Sequence, residues 1–129
     1  MSSKAFKPNT MSADELADLL RTADGGYSSE RYAEIFGISP AKLALQGDKY
    51  RRAGDIVTRS ESEQCFIRDA LQVVRAATSS GVTLSRAIEW FRNEPISAFD
   101  SRTAEQLVSE GKVDQLLRFL ESWQAGSQG

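Results

Sequence analysis

The chain has 129 residues, 40% of them apolar and 26% charged, with a formal net charge of −2. That is one ordinary domain with enough apolar residues for a packed core, and its charge argues against non-specific coating of nucleic acid or membrane. With no histidine and a single cysteine, Cys65, the chain lacks His-based acid–base catalysis, His-containing metal sites, Ser-His or Cys-His nucleophile pairs and an internal disulfide.

Residues 1–11 read as a polar tail containing Pro8. Ser12-Ala-Asp-Glu15 has the form of a capping box, and Leu16, Leu19 and Leu20 follow at helical spacing before Gly25-Gly26. A second short helix is expected over Ser29 to Phe36, stopping at Gly37. A third, capped by Ser39 with Pro40 in its first turn, is expected to reach Gln46 and end at Gly47. Asp48 to Arg59 shows no clear period, and only Asp55 to Thr58 carries a weak strand signal. Ser60-Glu-Ser-Glu63 is a second capping box, opening a long helix with the apolar stripe Phe66, Ile67, Ala70, Leu71, Val74 and Ala77, up to Gly81. Thr83 caps a fifth helix that ends near Glu94 because Pro95 follows. Thr103-Ala-Glu-Gln106 is a third capping box, on a short helix that stops at Gly111. A last helix runs over Val113 to Trp123, and the tail after it is loose. The expected fold is all-α with about seven helices, divided into a helix-turn-helix-like module over 1–59 and a helical module over 60–129. No run of apolar residues approaches the ~18–20 of a membrane span.

Two segments are candidates for function. In Ser29 to Gln46, the residues Tyr32, Ala33, Phe36, Gly37, Ile38 and Leu43 fall where a helix-turn-helix needs its small, turning and apolar positions. Ser39, Lys42 and Gln46 would then face DNA bases, with Lys49, Arg51 and Arg52 at phosphates. The plain alternative is two core helices beside a solvated basic loop. The second candidate is Thr83 to Trp123, whose aromatic residues Trp90, Phe91 and Phe119 cannot all share one helix stripe, so some must meet a second surface or a partner. An enzymatic reading is weak. The carboxylates Asp14, Glu15, Asp18, Glu61 and Glu63 cluster at helix starts, where they complement the macrodipole, and Cys65 lacks a base. Neither phosphate-loop glycine motif is present.

The stretch Ala87-Ile-Glu-Trp90-Phe91-Arg-Asn-Glu-Pro95-Ile96-Ser-Ala-Phe99-Asp-Ser-Arg102-Thr103-Ala-Glu-Gln-Leu107-Val-Ser-Glu-Gly111 resembles the toxin-binding region of the Xre/MbcA/ParS antitoxins. That family shows an Ala-x-x-Trp-hydrophobic start, a Pro-containing loop, a Gly-Arg-Thr-Pro turn and an acidic-Leu-Leu helix ending near Gly, followed by a closing helix. The likeness covers roughly Arg59 to Trp123 well and the N-terminal part more loosely. Ser101 stands where Gly is usual and Ala104 where Pro is usual. The resemblance implies an antitoxin that binds and blocks a RES-domain, NAD-consuming toxin and represses its own operon through operator DNA. The single cysteine fits a reducing, cytoplasmic setting, and the acidic charge leads to the expectation of a homodimer or a larger complex with toxin. By position it points to Trp90, Phe99, Arg102, Arg118, Glu121 and Trp123 as toxin contacts, with internal packing as the stronger alternative for Trp90 and Phe99. It implies no catalytic residue, cofactor or metal. Two other readings stand beside it: a helix-turn-helix regulator whose C-terminal module only dimerises, and a small helical adaptor.

Overall fold

The computed structural model describes residues 11–54 and 59–126, with the side chains of residues 53, 54, 59, 60 and 123–126 excepted. Among these the chain is all-α. It comprises α1 (Ala13–Leu20), α2 (Ser29–Phe36), α3 (Pro40–Gly54), α4 (Arg59–Thr78), α5 (Leu84–Asn93), α6 (Ala104–Ser109) and α7 (Val113–Gly126), with a 3-10 turn at Ser97–Phe99 between α5 and α6. No strand occurs among the described residues, only isolated bridges at Arg21–Tyr27 and Ile96–Arg102. The segment Asp55 to Thr58, the one stretch with a weak strand signal, lies outside them.

Side-chain caps set most helix starts. Ser12 and Glu15 complete a reciprocal capping box at α1, and Thr103 and Gln106 complete another at α6, each satisfying donors that a helix start leaves free. Thr83 caps α5 by accepting from the Arg86 amide at 3.1 Å. Three boundaries differ from the sequence reading. α4 begins at Arg59, so the backbone of Ser60 lies within the helix, and the Ser60 side chain, the expected cap, lies outside the described residues. α1 stops at Leu20, and Gly25-Gly26 belong to a separate turn closed by Thr22 N donating to Gly26 O at 2.8 Å.

The largest departure is α3, which continues through Gly47 to Gly54. Gly47 is a point of close approach. A Cβ there would lie 2.8 Å from Glu63 Cγ on α4, so the absent side chain lets two long helices pack and the helix does not break. Tertiary packing overrides the propensity cost of about 1 kcal/mol for a mid-helix glycine.

α4 is the central helix, and each of the others packs against it. Its buried residues Phe66, Ile67, Ala70, Leu71, Val73, Val74 and Ala77 occupy a face wider than one stripe. The core is continuous from α1 to α7. Tyr32 stacks on Phe36 at 4.1 Å between centroids and meets Phe66 edge-on at 6.1 Å, while Phe36 meets Phe91 at 5.7 Å. These contacts join α2 to α4 and α5, and Tyr50 on α3 adds another edge contact with Phe66 at 6.4 Å. Each such ring, fully buried, contributes about 1.5–3 kcal/mol relative to exposure.

Candidate functional site

Two surfaces carry the residues singled out in the sequence. The first is α3. α2 ends at Gly37 with φ +73, a left-handed conformation that glycine adopts without a Cβ penalty. Ile38 N returns to Ala33 O at 2.9 Å, and Tyr32, Ala33, Phe36, Ile38 and Leu43 are all buried. Ser39 caps α3, its Oγ accepting from Lys42 N at 3.1 Å.

Along α3, the residues Lys42, Leu45, Lys49 and Arg52 are all exposed. Their spacing of three, four and three residues places them on one stripe of the helix. Leu45 is 68% exposed, far more than any core residue. Sequence reasoning passed over it, although its place between Lys42 and Lys49 at helical spacing is a signal that could have found it. Gln46 and Arg51 do not join the stripe. Gln46 is half-buried towards α6, its Oε1 shielded from solvent without a hydrogen bond. Arg51 points to another side of α3, where its guanidinium lies 3.5 Å from Asp48.

A groove of about 280 Å³ runs between α3 and α6, lined by Lys42, Leu45, Gln46 and Lys49 on the α3 side and by Thr103, Glu105 and Gln106 on the α6 side, with Arg92 of α5 also in its lining. Arg92 Nε lies 3.8 Å from Glu105 Oε2, an ion pair longer than a hydrogen bond. The buried Tyr32 phenol is raised well above its ordinary pKa, mainly by burial and further by the Glu105 charge, with Arg92 acting in the opposite sense. The Arg92–Glu105 pair links α5 to α6, while the Tyr32 hydroxyl on α2 is buried without a hydrogen-bond partner.

The second surface is built by α5, the Pro95 loop and α7. Ile96 N donates to Arg102 O at 2.9 Å and Ser101 N to Ile96 O at 3.0 Å, closing the loop into a tight arch. Asp100 and Ser101, at its tip, are both left-handed, with φ of +58 and +63. Ala104 occupies the first position of α6 after the Thr103 cap, a place where proline is well tolerated. Ser101 and Ala104 thus stand where the backbone suits the Gly and Pro of the resembling pattern.

A cleft of about 400 Å³ opens here, lined by Val82, Ala87, Trp90, Pro95, Ile96 and Phe119 among others, with Arg86 and Glu94 at its edge. Trp90 is half-buried on its wall. Phe99 packs inward, edge-on to Phe119 at 5.5 Å. Arg102 pairs with Glu110 at 3.3 Å. Arg118 and Glu121 are exposed on α7. Trp123 belongs to the backbone of α7, and its side chain lies outside the described residues.

Three of the carboxylates considered for catalysis are engaged structurally. Glu15 caps α1, Asp14 pairs with Arg75 at 3.5 Å, and Glu63 accepts from Ser29 Oγ at 3.2 Å. Cys65 is half-buried against the core. Among the described residues, no cluster of three or more metal-ligating side chains occurs, and no helix is long and apolar enough to cross a membrane. In comparisons with family models, curated proteins and solved structures, nothing matches the chain.

Proposed function

We propose that this chain is the antitoxin of a type II toxin–antitoxin pair, which blocks a RES-domain, NAD-consuming toxin and represses its own operon by binding DNA. The observation that carries the reading is the arrangement from α5 to α7. A Trp-bearing helix, a Pro loop, a capped short helix, a Gly turn and a closing helix follow in the order of the resembling family, and an open apolar cleft lies beside Trp90 and Phe119. Such a cleft offers aromatic anchors, which in protein interfaces carry about 2 kcal/mol or more each. The exposed Arg118 and Glu121 on α7 supply polar contacts beside it. The mode of action is stoichiometric occlusion and not turnover.

DNA binding rests on the outward stripe of α3. Because the whole chain is acidic, with a net charge of −2, useful affinity requires two copies, or antitoxin held in a complex with toxin, so that paired stripes meet adjacent half-sites.

Co-expression with the product of the neighbouring gene tests the reading: the proposal expects that product to be a RES-domain toxin, and the full chain to restore growth and co-purify with it. DNA binding without growth rescue or complex formation would instead support a regulator whose C-terminal part only dimerises.

A further inference from the structure

We infer that Leu45 reads a thymine 5-methyl group in the major groove of operator DNA, as the apolar centre of a basic stripe. This rests on the DNA-binding part of the function proposed above. A single exposed leucine is ordinary on a protein surface, so the argument lies in what surrounds it. Leu45 is 68% exposed on α3, with the exposed Lys42 one helical turn before it and the exposed Lys49 one turn after. Arg52 continues the same line, and the stripe contains no carboxylate.

From Lys42 to Arg52 the stripe spans about 15 Å of helix axis. A major groove is about 12 Å wide and admits one helix. Cations at the two ends of the stripe therefore reach phosphates across the groove, and the side chain between them faces base edges. Leucine has no donor or acceptor. The base-edge group it can recognise is the thymine methyl, which leaves water on contact. Gln46 and Leu45 both border the groove between α3 and α6, but Gln46, the neighbouring polar side chain, is half-buried while Leu45 is 68% exposed, so the apolar residue is the more accessible of the two. An acidic protein would match the cations equally well but would give no dependence on one methyl group.

The test uses the full chain, alone and bound to its toxin, on the duplex immediately upstream of its own reading frame. Each thymine is replaced in turn by uracil, which removes only the methyl. For the unaltered protein, dT→dU at one position in a half-site weakens binding about four-fold, the equivalent of one buried methyl group. Leu45→Ala weakens binding to the thymine duplex by a similar factor and abolishes that sensitivity. It leaves binding to a scrambled duplex and the salt slope unchanged, whereas Lys42→Ala with Lys49→Ala flattens the slope. Leu45→Gln, of similar length, carries the same comparison should the alanine variant melt early. Uracil sensitivity that survives both substitutions, or equal weakening on the scrambled duplex, overturns the role of Leu45 while leaving DNA binding in place. Failure to retard any duplex, or binding only to an acidic protein, overturns both.

Discussion

Gly47 on α3 faces Glu63 on α4 so closely that a Cβ at Gly47 would lie 2.8 Å from the Glu63 Cγ. The Glu63 carboxylate is engaged by the Ser29 hydroxyl, which restrains it from swinging aside. Gly47→Ala adds about 1 kcal/mol of helix propensity and incurs an overpacking cost of about 1–3 kcal/mol. The expected outcome is a net loss of about 1 kcal/mol, measured as a lower denaturation midpoint. A more stable alanine variant would show that the helices separate freely at this point.

The arch tip makes the opposite prediction. Ser101 is exposed with φ +63, in a region that costs an ordinary L-residue about 1–2 kcal/mol. Ser101→Gly removes that strain at the price of a more flexible unfolded chain, for a net gain of about 0.5–1 kcal/mol. A thermal melt checks it, and a lower midpoint would contradict the strain.

Buried phenols set the alkaline limit of the fold. Tyr50 Oη donates to Asp69 Oδ2 at 2.5 Å, and Arg68 lies 3.2 Å from the same carboxylate. Burial, then the hydrogen bond to Asp69 and its charge, raise the Tyr50 phenol above its ordinary pKa of 10.0, and Tyr32 is raised mainly by burial. The native state therefore keeps protons that the unfolded state releases. Stability is intact below about pH 10 and falls as pH rises above it. Tyr50→Phe costs about 1–3 kcal/mol near neutrality, because Asp69 loses a buried partner, and it makes the alkaline decline shallower. Denaturant melts at about pH 7 and pH 10.5 measure both effects. An alkaline decline of unchanged steepness would remove Tyr50 as its source.

Much of this architecture was legible in local chemistry. Ser12 with Glu15, Thr83, and Thr103 with Gln106 mark their helix starts because capping acts over three residues and needs no tertiary context. Gly47 misled for the converse reason: its role depends on Glu63, a residue on another helix. Gln46 and Arg51 illustrate the same limit in the candidate site. Gln46 is half-buried beside α6 and Arg51 lies 3.5 Å from Asp48, whereas Leu45, which drew no notice in the sequence, is 68% exposed. The Arg92–Glu105 pair was invisible because its partners meet only when α5 and α6 pack together.

The shared core also bears on any attempt to divide the chain at residue 59. Tyr32 and Phe36 cover Phe66 and Phe91 across that boundary. Residues 60–129 alone are expected to lack a cooperative thermal transition and to bind a hydrophobic dye. A sharp melt with native-like side-chain dispersion would show that the second half carries a sufficient core of its own.

The most direct test of the proposed function is NAD consumption by the RES-domain toxin that the proposal requires, purified and titrated with the full chain. The account predicts that consumption falls linearly to near zero at a fixed stoichiometric ratio. Trp90→Ala with Arg118→Ala, confirmed as folded by circular dichroism, is expected to weaken inhibition at least ten-fold. Undiminished NAD consumption in the presence of excess folded chain would contradict the account.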